Sequence, residues 1–238
     1  MNYPKANKID PNLIKNSIMG PNPAKLLEEL MNRFPLEAGQ TIMDLGCGQG
    51  VTSIMLVKEY ALRVFAVDLW ISASENWQRF VTQGLTNQQI VPIHEDARTL
   101  PFAENFFDAV VSIDSYHYFG LDKAYLGKHL LPLVKPGGWI LLVVPGFHHD
   151  IHADIPEEML LSWSAEDLDT IHDAVYWRDV IEATEGIEIV SIEEMESNEE
   201  CWQDWLKTEN EYAIMDRAAM NAGAGKYFNF IAIALRKK

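Results

Sequence analysis

The sequence predicts an α/β fold, a mostly parallel sheet with helices on both faces. Apolar runs of strand length alternate with helical runs of about 10–15 residues, the pattern of repeated βαβ units. The strand runs are nearly continuously apolar, which a strand requires when both of its faces are covered. A glycine-rich turn, "MDLGCGQG" at 43–50, separates the first such strand from the next helix.

In chain order, residues 1–22 form an expected N-terminal arm or lid, because Pro4 and Pro11 break any long element there. The domain proper is expected over 23–238. Asn22 can cap and Pro23 can open a helix through "AKLLEELMNRF", 24–34, which Pro35 and Gly39 end. Strand candidates follow at 41–46, 63–69, 90–96, 106–114 and 136–146. Helices are expected at 51–60, 74–84 and 122–134. Each strand–helix–strand crossover should be right-handed. Beyond 146 the pattern loosens: 164–184 reads as a helix and 187–195 alternates like a strand. Residues 199–223 read as an acidic, tryptophan-bearing helix or helix pair, and 227–237 as a closing strand. A helical insertion at about 196–225 is expected to cover the acceptor side of the site.

The chain has 238 residues, 48% hydrophobic and 23% charged, enough to bury a core without metal or disulfide staples. Its two cysteines, Cys47 and Cys201, form no disulfide framework or CxxC pair, which fits a reducing cytoplasm. The net charge of −16 opposes binding to nucleic acid and stable association with anionic membranes. "MNYPKANKID" lacks the apolar segment of a signal peptide, and no run reaches bilayer-spanning length.

The glycine turn carries the first functional signal. Gly46, Gly48 and Gly50 let the backbone approach a ligand closely, next to a helix N-terminus with free N–H groups. A dinucleotide loop requires G-x-G-x-x-G, but Val51 occupies the last position counted from Gly46. No G-K-[ST] follows either. Asp68 ends the second strand, beside the first in a parallel sheet, where a carboxylate can accept ribose hydroxyls. Asp96 and Ala97 follow the third strand and can meet an adenine edge, with Leu69 or Trp70 against the base.

These residues resemble the class I S-adenosylmethionine-dependent methyltransferases of the small-molecule type. "DLGCGQG" resembles the family's first motif, "LPFAENFFDAVVS" the approach to its fourth strand, and "LLPLVKPGGWILLV" the approach to its fifth. The resemblance covers about residues 38–145. It implies a seven-stranded Rossmann-like methyltransferase fold, order 3-2-1-4-5-7-6 with the last strand antiparallel, and S-adenosyl-L-methionine as cofactor. It places Asp44, Gly46, Gly48 and Gly50 around the amino-acid part of the cofactor. Asp68 falls on the ribose, Asp96 and Ala97 at the adenine, and Ile113 and Asp114 near the cofactor.

"SIDSYHYF", 112–119, follows the fourth strand at the topological switch point. By the same resemblance Tyr116 and His117 lie near a small-molecule methyl acceptor, with His117 the first candidate for a base. Tyr116 or Tyr118 can orient the acceptor or join an aromatic cage around a cationic amine. The sequence lacks the Pro-Pro motif of base-amine methyltransferases after this strand. No metal is expected, since His148, His149 and His152 sit in a loop. Met19–Gly20 and the 199–223 region are candidate covers. The rival readings are a noncatalytic cofactor-binding protein, an NAD-dependent oxidoreductase, and a modifier of protein or RNA.

Overall fold

A computed structural model describes residues 2–238; Met1, part of the expected arm, lies outside the described residues. Seven strands form one sheet in the order β3-β2-β1-β4-β5-β7-β6. They are β1 Thr41–Leu45, β2 Arg63–Asp68, β3 Ile90–His94, β4 Phe107–Ile113, β5 Val134–Phe147, β6 Ile187–Glu194 and β7 Phe228–Lys237. β1 to β5 pair in parallel, and β7 runs antiparallel between β5 and β6.

Alternate strand residues supply two cores, one on each face. Ile42, Val64, Val111 and Val143 join the first, packed under helices α2 (Pro23–Arg33) and α3 (Val51–Tyr60). Met43, Val67, Val110 and Leu142 join the second, with Tyr116 and Trp177. The period of two along each strand sends successive side chains to opposite faces.

The arm holds a 3-10 turn, Ala6–Lys8, and a short α-helix, α1 (Pro11–Ser17), capped by Asp10. Helix α4 (Ala73–Thr82) opens with a capping box, in which the Ser72 hydroxyl accepts from Glu75 N–H and the Glu75 carboxylate accepts from the Ser72 backbone.

Two expected helices differ. Residues 122–134 hold a π-helical turn, Leu126–Leu130, and a 3-10 turn, Leu131–Leu133. Pro132 lacks the N–H that a continuous α-helix needs. The 164–184 run is two helices, α5 (Ala165–Leu168) and α6 (Ala174–Glu182), because it contains two N-caps. Ser164 accepts from Asp167 N–H, and Asp173 accepts from Tyr176 N–H. Between them the His172 carbonyl is drawn off to accept from Phe147 N–H of β5. The 199–223 region is a helix pair, α7 (Asn198–Trp205) and α8 (Glu211–Asn221).

Candidate active site

A cavity of about 280 Å³ opens at the carboxyl ends of β1, β2, β3 and β4. Its floor is the 45–52 turn, its sides are Asp68–Trp70, Glu95–Arg98 and Ile113–Ser115, and arm residues 17–21 lie across it. The reversal of strand order between β1 and β4 creates this crevice.

Gly46 has φ +74°, and a Cβ there would lie 1.8 Å from Ser115 Oγ. The first turn of the site and the segment after β4 therefore meet only because this residue lacks a side chain. At Gly48 a Cβ would lie 3.1 Å from Met19 Sδ, so the arm rests on the loop. Gly50 is the N-cap of α3 and faces the Phe80 ring, outside the cavity lining. That helix start has no side-chain cap, so its first amides are available to an anionic group at the cavity wall formed by Gln49, Val51 and Thr52.

Asp68 joins the two ends of the floor. Its Oδ2 accepts from Gly48 N–H at 2.7 Å, and its Oδ1 accepts from Trp70 and Ile71 N–H at 2.8 and 2.9 Å. A carboxylate offers about four acceptor sites, so one remains for a ligand hydroxyl. Asp96 Oδ1 accepts from Arg98 N–H at 2.7 Å, while Ala97 accepts through its carbonyl from the Tyr125 hydroxyl at 2.9 Å. Asp68, Leu69, Asp96, Ala97, Ile113 and Asp114 all line the one cavity.

Asp44 lies beneath it, fully buried. Its Oδ2 accepts from Thr52 and Ser53 hydroxyls at 2.7 and 2.5 Å, tying β1 to α3. Burial pushes its carboxyl up to about 6 against the lowering effect of those hydroxyls. Asp44 and Gly50 thus shape the turn from below and line no part of the cavity.

Neither acceptor-side candidate, Tyr116 or His117, lines the cavity. Tyr116 is wholly buried in the second core against Trp177, Tyr125 and Phe119. His117 is also buried, with Nδ1 unpartnered, and burial pushes the imidazole down to about 3. The short 3-10 turn Tyr116–Tyr118 rotates these two side chains inward and leaves Tyr118 at the cavity. Tyr118 meets Trp70 edge-on, ring centroids 5.3 Å apart, and both rings are more than half exposed.

The cavity also takes in Gln49, Thr52, Glu95, Arg98, Ser115 and Phe119, which sequence reasoning did not single out. Most adjoin a predicted residue at a strand end, and that adjacency was the available signal. No residue of 196–225 lines the cavity. α7 instead abuts α2 and the arm, with the Cys201 carbonyl accepting from Asn22 N–H and Asp204 accepting from the Asn22 side chain. Among the described residues no three His, Cys, Asp or Glu side chains converge as a metal site. His148 pairs with Glu194, and His152 with Asp150.

The methyltransferase domain family matches residues 42–138, the stretch that builds this floor and the sheet beneath it. Residues 42–138 are a methyltransferase domain. The seven-strand order of the whole chain, β3-β2-β1-β4-β5-β7-β6, is the one that the class I resemblance implies. The chain is 31% identical over 121 residues to 2-methyl-6-phytyl-1,4-hydroquinone methyltransferase of Synechocystis sp., covering 51% of the chain and 36% of that protein. It is 30% identical over 116 residues to phosphoethanolamine N-methyltransferase 1 of Triticum aestivum, covering 48% of the chain and 22% of that protein. The chain thus matches well under half the length of these curated relatives. In fold it is similar to phosphoethanolamine N-methyltransferase 2 of Haemonchus contortus (TM-score 0.72, 21% identity, 93% of this chain and 54% of that one). Geranyl diphosphate C-methyltransferase of Streptomyces coelicolor is also similar (TM-score 0.71, 17% identity, 91% and 81%).

Proposed function

We propose that the chain is an enzyme that transfers a methyl group from S-adenosyl-L-methionine to a small organic acceptor. The observation that carries this reading is the convergence of Asp68, Asp96 and the Gly46–Gly48 turn on one cavity. The residues fit the cofactor on structural grounds. Gly46 and Gly48 line the cavity without side chains, so backbone comes close to a ligand there, and the uncapped start of α3 suits a carboxylate. Asp68 retains an acceptor site for a ribose hydroxyl, and Asp96 with Ala97 stands where an adenine edge would be read. Leu69, exposed in the cavity wall, offers an apolar face to the base, and Ile113 offers another from β4.

When bound, the cofactor supplies a methyl group on a positively charged sulfur, already activated for in-line displacement. The chain's own residues then have three tasks. The floor and the two acids fix position, the arm at 17–21 excludes water, and Ser115, Tyr118 and Phe119 present the acceptor. His117, buried and poorly basic, fits packing better than proton transfer.

The related methyltransferases support the enzymatic reading over a noncatalytic one, and the G-x-G-x-G spacing disfavours NAD. We also place the protein in the cytoplasm, on its two free, buried cysteines, and assign it no nucleic-acid partner, on its net charge of −16. No helix among the described residues is long and apolar enough to cross a membrane. Incubation with methyl-labelled cofactor and fractionated small metabolites tests the reading. Label should enter a small molecule. Failure to label any acceptor, despite tight cofactor binding, favours a binding protein.

A further inference from the structure

We propose that the acceptor is a small amine, received as an ammonium ion against the Trp70–Tyr118 ring pair, with the Asp114 carboxylate as counter-ion and proton acceptor. This names the substrate class for the methyl-transfer reading and rests on it.

The cavity's charge balance is the first argument. It is lined by Asp68, Glu95, Asp96 and Asp114, with Arg98 as the single lysine or arginine. Three of the acids are engaged. Asp68 accepts from three backbone N–H groups. Glu95 accepts from Asp96 N–H and the Thr99 hydroxyl, and Asp96 accepts from Arg98 N–H with the Arg98 guanidinium at 3.6 Å. The Asp114 carboxylate has no hydrogen-bond or ion-pair partner among the described residues. A half-buried carboxylate without a partner is costly, and a cation is the ligand that relieves the cost.

The surroundings of Asp114 are built around that carboxylate. The residue takes φ +56° at the end of β4, in the left-handed region that few non-glycine residues occupy. The arm crosses it at Gly20, where a Cβ would lie 2.6 Å from Oδ2. The arm therefore covers the acid with backbone alone and brings no counter-charge. Burial raises the carboxyl to about 7, so it exchanges a proton near neutrality. Tyr118 feels the same charge: burial first, then Asp114 and Asp167, push its phenol up to about 12.

The ring pair is the independent observation. Trp70 and Tyr118 come from different strand ends, are largely exposed, and meet edge-on at the cavity. Such rings attract a cation through their electron-rich faces. A phosphate- or carboxylate-bearing acceptor would instead bring like charge against Asp114, with Arg98 already opposite Asp96.

The proton step balances simply. One N–H bond of the ammonium breaks, its electron pair remains on nitrogen as the lone pair that receives the methyl, and an O–H bond forms on Asp114. The N–C bond forms as the S–CH3 bond breaks with its electron pair left on sulfur, so the methylated nitrogen carries the positive charge that the sulfonium gives up.

Calorimetry on the full chain saturated with S-adenosylhomocysteine tests this. N,N-dimethylethanolamine, putrescine and histamine are titrated, each against a neutral carbon counterpart such as 3-methylbutan-1-ol for the first. At least one amine should bind tenfold or more tightly than its counterpart. Asp114→Asn should erase most of that preference, and a larger loss for the amine than for S-adenosylhomocysteine is the expected result. Tyr118→Phe should retain the preference and Tyr118→Leu should lose several-fold. No preference for any amine overturns the proposal and leaves methyl transfer standing. So does a loss of S-adenosylhomocysteine affinity in Asp114→Asn as large as the loss of amine affinity. Failure of S-adenosylhomocysteine to bind the unaltered chain sinks the underlying reading instead.

Discussion

The Gly48 amide donates to the Asp68 carboxylate at 2.7 Å, linking the turn after β1 to the end of β2. Through this one bond, and two more from Trp70 and Ile71, Asp68 orders the floor before any ligand arrives. Hydrogen bonds to a charged acceptor contribute about 1.5–3 kcal/mol each. Asp68→Ala should therefore weaken S-adenosylhomocysteine binding by roughly 10- to 150-fold. Asp68→Asn, which keeps one acceptor oxygen, should fall between. Titration calorimetry on the two variants reads this directly, and equal affinities in all three proteins would refute it.

Gly46→Ala combines two costs, the left-handed backbone at φ +74° and the collision with Ser115 Oγ. Gly137 shares the conformation, at φ +76°, but a Cβ there meets nothing within 4 Å. Gly137→Ala should cost about 1–2 kcal/mol, the backbone penalty alone. Gly46→Ala should cost more, and Ser115→Gly on top of it should recover the difference. Chemical denaturation of the four proteins checks the order.

The class of fold was legible because β1 to β4 and the centre of β5 are apolar runs of strand length, the pattern of parallel strands covered on both faces. The turn at 43–50 and the strand-end acids Asp68 and Asp96 were legible for a related reason: in a parallel sheet, residues at successive strand ends fall together. The 112–120 segment was not. A strand period assigns faces only up to Ile113; the 3-10 turn that follows has a different period, so Tyr116 and His117 are buried and Tyr118 lines the cavity. The link between Gly46 and Ser115 has no linear signal, since it is a contact between two turns brought together by strand order.

Tyr116 places its hydroxyl in the core without a partner. Removing an unpaired buried polar group restores what its desolvation cost. Tyr116→Phe should leave stability unchanged or raise it by up to about 1 kcal/mol. A clear loss in denaturant midpoint would show that the hydroxyl has a partner in solution.

His117 gives a pH signature. Its imidazole is pushed down to about 3 in the folded chain, against about 6.5 when unfolded. The unfolded chain binds the extra proton between those values, so this contribution is intact above about pH 6.5 and lost as pH falls toward 3. The shift corresponds to a stability change on the order of 5 kcal/mol. Asp44, raised to about 6, acts oppositely and weakens the fold as pH rises between 3.8 and 6. His117→Gln should flatten the acid-side loss selectively. Stability measured from pH 7 to 4 with an unchanged slope would contradict the assignment.

Glu28 and Glu29 are adjacent on α2 and both buried, yet they hold different segments. Glu28 accepts from Lys5 and Ala6 N–H at 3.1 and 2.7 Å, and Glu29 accepts from Glu196 and Ser197 N–H at 2.9 and 2.8 Å. Glu28→Ala should free the arm whose residues 17–21 lie over the cavity. The expected results are faster proteolysis within the first 22 residues and S-adenosylhomocysteine release accelerated about tenfold, as for a loosened lid. Unchanged release with intact proteolytic protection would show that α2 does not hold the cover.

The account stands on an adenosyl ligand lying across the ends of β1, β2 and β3. Parallel calorimetric titrations of the full chain with S-adenosylhomocysteine and with NADH test it most directly. One site for S-adenosylhomocysteine per chain, weakened by Asp68→Ala, with no heat from NADH, is the predicted result. Saturable binding of NADH, or no binding of S-adenosylhomocysteine at all, would contradict it.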